Sequence, residues 1–251
     1  MSQEPLIAVF VDFENLALGV RDLKGGGQFD MQLVLKRLLE KGRIVYKRAY
    51  CDWGQYRTYV KDFHAKGVEM IDIPQTRQSG KNSADIHMVV DALDLCYAKQ
   101  HIDIFALLSG DSDFSPLVSK LKENNKRVIG CGIKSSTSDL LRAGCDEFIY
   151  YDDLARTARK TKGRGERTDR KAEAMDRLVQ IVESMTGDYD QIWGSMVKQT
   201  IKRVYPGFNE SYYGYGSFSE MLKDCESRGL IRLEYDKNRG NYLVASGGKG
   251  T

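Results

Sequence analysis

An α/β architecture in three layers with a mainly parallel sheet, followed by a small winged-helix domain, is what this sequence predicts. Three observations carry that expectation. Apolar runs of strand length alternate with stretches of helical spacing as far as residue 155. The runs Leu6–Val11 and Ile102–Leu108 are almost continuously apolar, as in parallel strands covered on both faces. Beyond a basic stretch, three amphipathic segments precede a hairpin pattern.

Taken in order, Leu6–Val11 is the first strand. Met31–Gly42 places Leu33, Leu35, Leu38 and Leu39 at helical spacing and ends on a glycine. Arg43–Tyr50 alternates like a strand, and a helical segment around Tyr56–Lys66 stops at Gly67. Val68–Pro74 reads as a third strand closed by its proline. The polar loop QTRQSGKNS leads to a helix at Ala84–Ala98, with Ser83 as its expected N-cap. Strand Ile102–Leu108, helix Pro116–Asn124, strand Arg127–Ile133 and helix Thr137–Ala143 follow, and EFIYYDDL adds a short edge strand.

The 251 residues suffice for one large domain or two smaller ones, and 41% hydrophobic with 10% aromatic residues supplies a packed core. No stretch approaches the roughly 18–20 apolar residues of a membrane helix. The start, MSQEPLIAVF, lacks the basic region of a signal peptide. Five scattered cysteines without a CxxC pair, and three histidines, argue against structural zinc and for reduced thiols in a cytoplasmic protein. The net charge of +3 conceals one concentrated feature. Between Arg156 and Lys171 stand eight basic residues against two acids, Glu166 and Asp169. That stretch, 156–171, reads as a solvated, flexible linker between a domain at 1–155 and another at 172–247.

Two strands end in acids. Asp12 follows the first apolar run, and Asp111 and Asp113 follow the fourth. In open parallel sheets, sites form beyond the carboxyl ends of strands where strand order reverses. If these two strands are neighbours, the three carboxylates meet, and Asp85 joins them from the start of its helix. Each acid also has an ordinary reading. Asp85 complements a helix dipole, and Asp113 sits in the loop before the helix start at Ser115–Pro116. Crowded carboxylates, however, are costly unless a cation neutralises them. An all-oxygen set suits Mg²⁺ or Mn²⁺ rather than zinc, and such a centre activates water and stabilises the leaving oxygen of a phosphodiester. Asn15 offers a neutral amide able to orient water or a phosphate.

The stretches VFVDFENL, SGKNSADIHMVVDAL, LLSGDSDFSPLVSKL and IGCGIKSSTSDLLRAGCDEFIYYDDL together resemble the NYN domain of the LabA-like group, PIN-like nucleases related in fold to the flap nucleases. The resemblance spans roughly residues 5–155. It implies that Asp12, Asn15, Asp85, Asp111 and Asp113 occupy catalytic positions, with the four aspartates holding Mg²⁺ or Mn²⁺, and that the substrate is RNA. Asp91 also looks like a family feature, yet six residues beyond Asp85 it points about 240° round the helix. Glu14 is expected to face away or to cap the following turn. Lys81, Ser109, Ser135 and Ser136 are candidate phosphate contacts, and Arg164 and Arg167 in the basic stretch are candidate RNA contacts.

After the linker, Met175, Leu178, Ile181, Val182 and Met185 form one apolar stripe of a helix at Lys171–Met185. A second helix runs to Pro206, a third spans Ser217–Gly229, and two strands flank the turn DKNRG. The order, with YYGYGSFSEML and GNYLV, resembles an OST-HTH (LOTUS) domain, which implies recognition of RNA or of a protein partner. Lys198, Lys202, Arg203, Lys237 and Arg239 form either a phosphate-facing surface or a solvated face. Tyr212, Tyr213 and Tyr215 either stack on bases or fill the small core.

The function expected is that of a metal-dependent ribonuclease with an appended binding module; the alternative is a non-catalytic RNA-binding or scaffold protein on the same fold. Two other α/β classes fit poorly. A haloacid-dehalogenase-like phosphatase needs Asp where Glu14 stands, and a phosphorylated receiver needs its acid at the end of the third strand, where only Asp72 is present. Nothing in the sequence sets the oligomeric state.

Overall fold

The computed structural model describes residues 4–23, 27–74, 83–162 and 170–247. The chain divides into two compact units, Met1–Gly163 and Arg164–Thr251. In the first, strands β1 (Leu6–Asp12), β2 (Arg43–Cys51), β3 (Glu69–Asp72), β4 (Ile104–Leu108), β5 (Arg127–Gly132) and β6 (Glu147–Tyr150) form one sheet in the order β3-β2-β1-β4-β5-β6. All of its pairings are parallel.

The alternation of β1 shows how the layers arise. Ile7, Val9 and Val11 pack with α1 (Phe13–Arg21), α2 (Met31–Leu39), α3 (Arg57–Ala65) and α7 (Tyr151–Lys162). Ala8 and Phe10 face the opposite layer of α4 (Ser83–Ala98), α5 (Ser115–Glu123) and α6 (Asp139–Gly144). Period-two alternation therefore sends Asp12 onto the same face as Phe10, beside α4 and α5. Both faces are covered, which is why β4 is buried at every position.

Three local expectations are corrected. Helix α1 follows β1 directly and was not expected; Phe13, Leu16 and Val20 bury its inner face. The charged stretch from Arg156 is not a flexible linker at its start, because α7 continues through Lys162. Asp152 and Asp153 in the first turn of α7 favour the helix dipole, Arg156 bonds Asp153 at 2.8 Å, and Leu154 and Ala155 pack into the core. Ser83 already lies within α4 and is not its cap.

The second unit contains α8 (Arg170–Thr186), α9 (Gly194–Val204), α10 (Phe218–Ser227) and an antiparallel hairpin of β7 (Ile231–Asp236) and β8 (Asn241–Ser246). The expected stripe of α8 is buried: Met175, Leu178, Ile181, Val182 and Met185. Gly229 ends α10 at a φ of 69°, a conformation that costs glycine little. A bridge from Trp193 to Leu243 ties the start of α9 to the hairpin. Tyr213 and Tyr215 are core residues, 6% and 2% exposed, while Tyr212 is exposed. No described helix of the chain is long and apolar enough to cross a membrane.

Candidate active site

Strand order reverses between β1 and β4, so the crevice beyond their carboxyl ends is where this fold places a site. Val11 pairs with Leu108, which makes Asp12 and Ser109 the next residues on adjacent strands. The Ser109 hydroxyl donates to Asp12 Oδ2 at 2.7 Å and accepts the Asp111 N–H at 3.1 Å. Asp12 also caps α1, its Oδ1 accepting the Asn15 N–H at 3.3 Å. Asn15 Oδ1 in turn accepts the Gly110 N–H at 2.9 Å. These bonds lock the start of α1 to the loop after β4.

Within that loop, Asp111 caps a short 3₁₀ turn, Ser112–Phe114, by accepting the Asp113 N–H at 2.9 Å. The loop after β5 closes on it through Gly110, whose carbonyl accepts the Ser138 N–H at 2.9 Å. A Cβ at Gly110 would lie 2.6 Å from the Ser136 carbonyl oxygen, so only glycine permits this approach. Ser135 and Ser136 are exposed on that loop.

The electrostatics tie the acids together. Burial pushes the Asp12 carboxyl up to about 7, with Asp85 and Asp111 adding to the rise and the Ser109 hydroxyl and Asn15 N–H opposing it. Asp85 is pushed up to about 6, first by burial and then by Asp111, Asp113 and Glu14. Carboxylates from the end of β1, the start of α1, the start of α4 and the loop after β4 thus act on one another, and the charged neighbours that shift them are themselves acids. The donors are all oxygen and the local field is negative, which fits a hard divalent cation. Among the described residues, no three His, Cys, Asp or Glu side chains are already arranged to hold an ion.

Some expectations change at the level of single residues. Ser109 is fully buried and its hydroxyl is engaged on both sides, so it orients Asp12 instead of meeting a phosphate. Glu14 adds to the rise of Asp85, as the smallest of its causes. The signal was its place in the first turn after Asp12, legible only once α1 is recognised. Asp91 accepts from Arg48 Nη1 at 2.6 Å and from the Tyr50 hydroxyl at 2.7 Å, in a group that also includes Glu69. It is neutralised there, apart from the four aspartates. Lys81, Arg164 and Arg167 lie outside the described residues.

In the second unit, Lys198 pairs with Glu210 at 2.8 Å and Arg203 donates to Thr200 at 3.2 Å. Arg170 lies over the Tyr212 ring at 5.0 Å, Lys171 over Tyr215 at 4.7 Å and Arg239 over Trp193 at 4.7 Å.

A parallel sheet with acids gathered where strand order reverses, joined to three helices and a wing, defines a PIN-like α/β protein with a small accessory domain. Residues 6–152 match the NYN domain, and the chain belongs to that family. Residues 170–241 match the OST-HTH/LOTUS domain. NYN domains fall within a nuclease superfamily, and both domains are generally associated with RNA or other nucleic acid. An uncharacterised protein of Methanocaldococcus jannaschii is 29% identical over 146 residues, 58% of this chain; the match spans 55% of that relative's length. A crystal structure of a Vibrio parahaemolyticus protein of unknown function aligns with a TM-score of 0.54 and 25% identity, covering 61% of this chain and 97% of that one.

Proposed function

We propose that the protein is a metal-dependent ribonuclease whose C-terminal domain binds RNA or a protein partner, acting in the cytoplasm. The observation that carries this reading is the mutual electrostatic coupling of Asp12, Asp85, Asp111 and Asp113 at the strand-order reversal. Membership of a family within a nuclease superfamily supports it.

In this reading Asp12, Asp85, Asp111 and Asp113 would hold Mg²⁺ or Mn²⁺, which when bound would supply an activated water and charge to offset the leaving oxygen. Asp12 is the fixed member, held on a rigid central strand by the Ser109 hydroxyl and the Asn15 N–H. Asn15, anchored through its oxygen to Gly110, presents its amide nitrogen at the edge of the site. Ser135 and Ser136, exposed on the loop stitched to Gly110, contact the scissile strand's phosphates. The basic run from Arg156 to Lys171 draws the backbone in without reading its sequence.

The second reading is the same fold and the same nucleic-acid association without catalysis. A non-catalytic RNA-binding protein would share everything but the cut. Incubating the pure protein with labelled single- and double-stranded RNA and DNA, in Mg²⁺, Mn²⁺ or EDTA, separates the two. Cleavage of RNA that EDTA abolishes supports the nuclease; saturable binding without cleavage in either metal sinks it.

A further inference from the structure

Helix α4 packs on β1, β2 and the 3₁₀ turn Ser112–Phe114, and it carries Asp85 in its first turn. Its apolar surface does not by itself set its rotation about its own axis. Met88, Ala92 and Cys96 are fully buried against the sheet, yet Ile86, Val90 and Tyr97 on the opposite face are 61%, 58% and 55% exposed. A helix that is apolar on two faces gains little by burying one rather than the other. Its rotation needs a directional contact.

Asp91 supplies one. Its Oδ2 accepts from Arg48 Nη1 at 2.6 Å and from the Tyr50 hydroxyl at 2.7 Å, so two side chains of β2 grip one carboxylate of α4. The guanidinium is held in turn. Its Nε and Nη2 donate to Glu69 Oε2 on β3 at 3.0 and 2.9 Å, and it lies over the Tyr46 ring at 5.1 Å. Tyr50 is 1% exposed and stands beside Asp12 in the register of β1 and β2. The clamp therefore grips the sheet next to the strand end that bears Asp12. Asp85 and Asp91 lie about 120° apart by the shorter way round the helix, with Met88 and Ala92 on the arc between them. They border the buried stripe from opposite edges, so whatever turns Asp91 turns Asp85.

We infer that Asp91 is a positioning residue: gripped by Arg48 and Tyr50, it fixes the rotation of α4 and so aims Asp85 at the acids beyond β1 and β4. Its consequence for chemistry rests on the metal-dependent reading of those acids; the clamp itself does not. The displacement at stake is large on the scale of a metal site. A carboxylate about 6 Å from a helix axis moves by about 2 Å when the helix turns through about 20°. Mg²⁺ takes its oxygen ligands only near about 2.0–2.1 Å. A misplacement of about 1 Å at a reacting centre costs on the order of 10²-fold in rate.

Replacing a half-buried ionic contact by an apolar one of similar volume separates positioning from stability. Tyr50→Phe combined with Asp91→Leu removes the clamp, leaves Arg48 on Glu69, and should keep the Tm of the full chain to within a few degrees. Affinity for Mn²⁺ alone, read by electron paramagnetic resonance of the free ion, should nevertheless fall at least tenfold. On RNA, kcat should fall at least tenfold with KM within about threefold. Asp91→Asn, which can still accept both bonds, should stay within about threefold of wild type on both counts. Tyr50→Phe alone should fall between, and it carries the test if the double variant does not fold. The ¹H–¹⁵N spectrum reads the rotation directly. In the double variant the amides of Asp85, Ile86 and His87, a turn or more from residue 91, should shift, double or broaden while those of β4 stay as they are. An unchanged start of α4, or an unchanged Mn²⁺ affinity once α4 has loosened, would overturn the inference. A wild-type chain that binds no Mn²⁺ and cuts nothing defeats the metal reading instead, and the α4 resonances then decide the clamp by themselves.

Discussion

At Asp12 one carboxylate caps α1, accepts the buried Ser109 hydroxyl and is held up to about 7 by burial and by Asp85. Substitution separates these roles. Asparagine is as good an N-cap as aspartate, whereas alanine loses about 0.5–2 kcal/mol with the cap. At pH 8 in EDTA, Asp12→Asn should therefore melt at or above the wild-type Tm, because one repelling charge has gone, and Asp12→Ala should melt below Asp12→Asn. With Mg²⁺ present both should cleave RNA on the order of 10²-fold more slowly. Thermal melts beside cleavage rates decide it; an Asp12→Asn protein that melts lower in EDTA yet cleaves normally makes the residue a plain cap. Ser109 gives a second separation. Its buried bond to a charged acceptor is worth about 1.5–3 kcal/mol, so Ser109→Ala should lower Tm. Because the hydroxyl cannot reach substrate, kcat should fall at least tenfold with KM within about twofold. A rise in KM at constant kcat would return Ser109 to the role of a phosphate contact.

Strands β1 and β4 were legible because residues covered on both faces must be apolar, and the stripe of α8 because its period is helical. The placement of the acids followed from the same patterns, since β1 ends in Asp12 and the loop that leaves the adjacent parallel strand β4 carries Asp111 and Asp113 to the same edge. Helix α1 was not legible: it is nine residues long and leaves β1 without an intervening loop. With it went the roles of Glu14 and Ser109, which depend on how that helix meets β4. Helix α7 was hidden by its own charges, because only Leu154 and Ala155 among its later described residues reach the core. The hidden helix matters to any dissection of the chain. Tyr151 is 3% exposed, accepts the Asp30 N–H at 2.8 Å and lies 4.7 Å from the Phe29 ring. A chain ending after Lys162 should keep the melting transition of the first domain to within a few degrees. One ending after Leu154 cuts α7 short before Ala155 and should melt about 5 °C or more lower, as a loss near 2 kcal/mol does in a domain of this size. Circular-dichroism melts of the two truncations make the comparison, and equal Tm values would show that the end of α7 contributes nothing to the domain.

On the proposed reading, joining a candidate catalytic domain to an RNA-binding domain would raise the effective concentration of one site for RNA held at the other. On the same reading the basic run would add an electrostatic term of a different kind, because Lys and Arg that neutralise phosphates release counterions, and log K for single strands falls with log salt at about −0.7 per phosphate. Not every cation of the run can be tested cleanly. Arg170 and Lys171 lie over Tyr212 and Tyr215, so replacing them would disturb the second domain as well as the charge. Arg164 and Arg167 are the informative pair. Changing both to Gln should flatten the salt dependence of RNA binding by about one unit and weaken binding evenly across sequences, with kcat on saturating RNA unchanged. Filter binding from low to high salt, on two unrelated single-stranded RNAs, reads both effects. Loss on one RNA but not the other would make these arginines sequence readers; a slope identical to wild type would leave the run a solvated connector whose charge serves solubility alone.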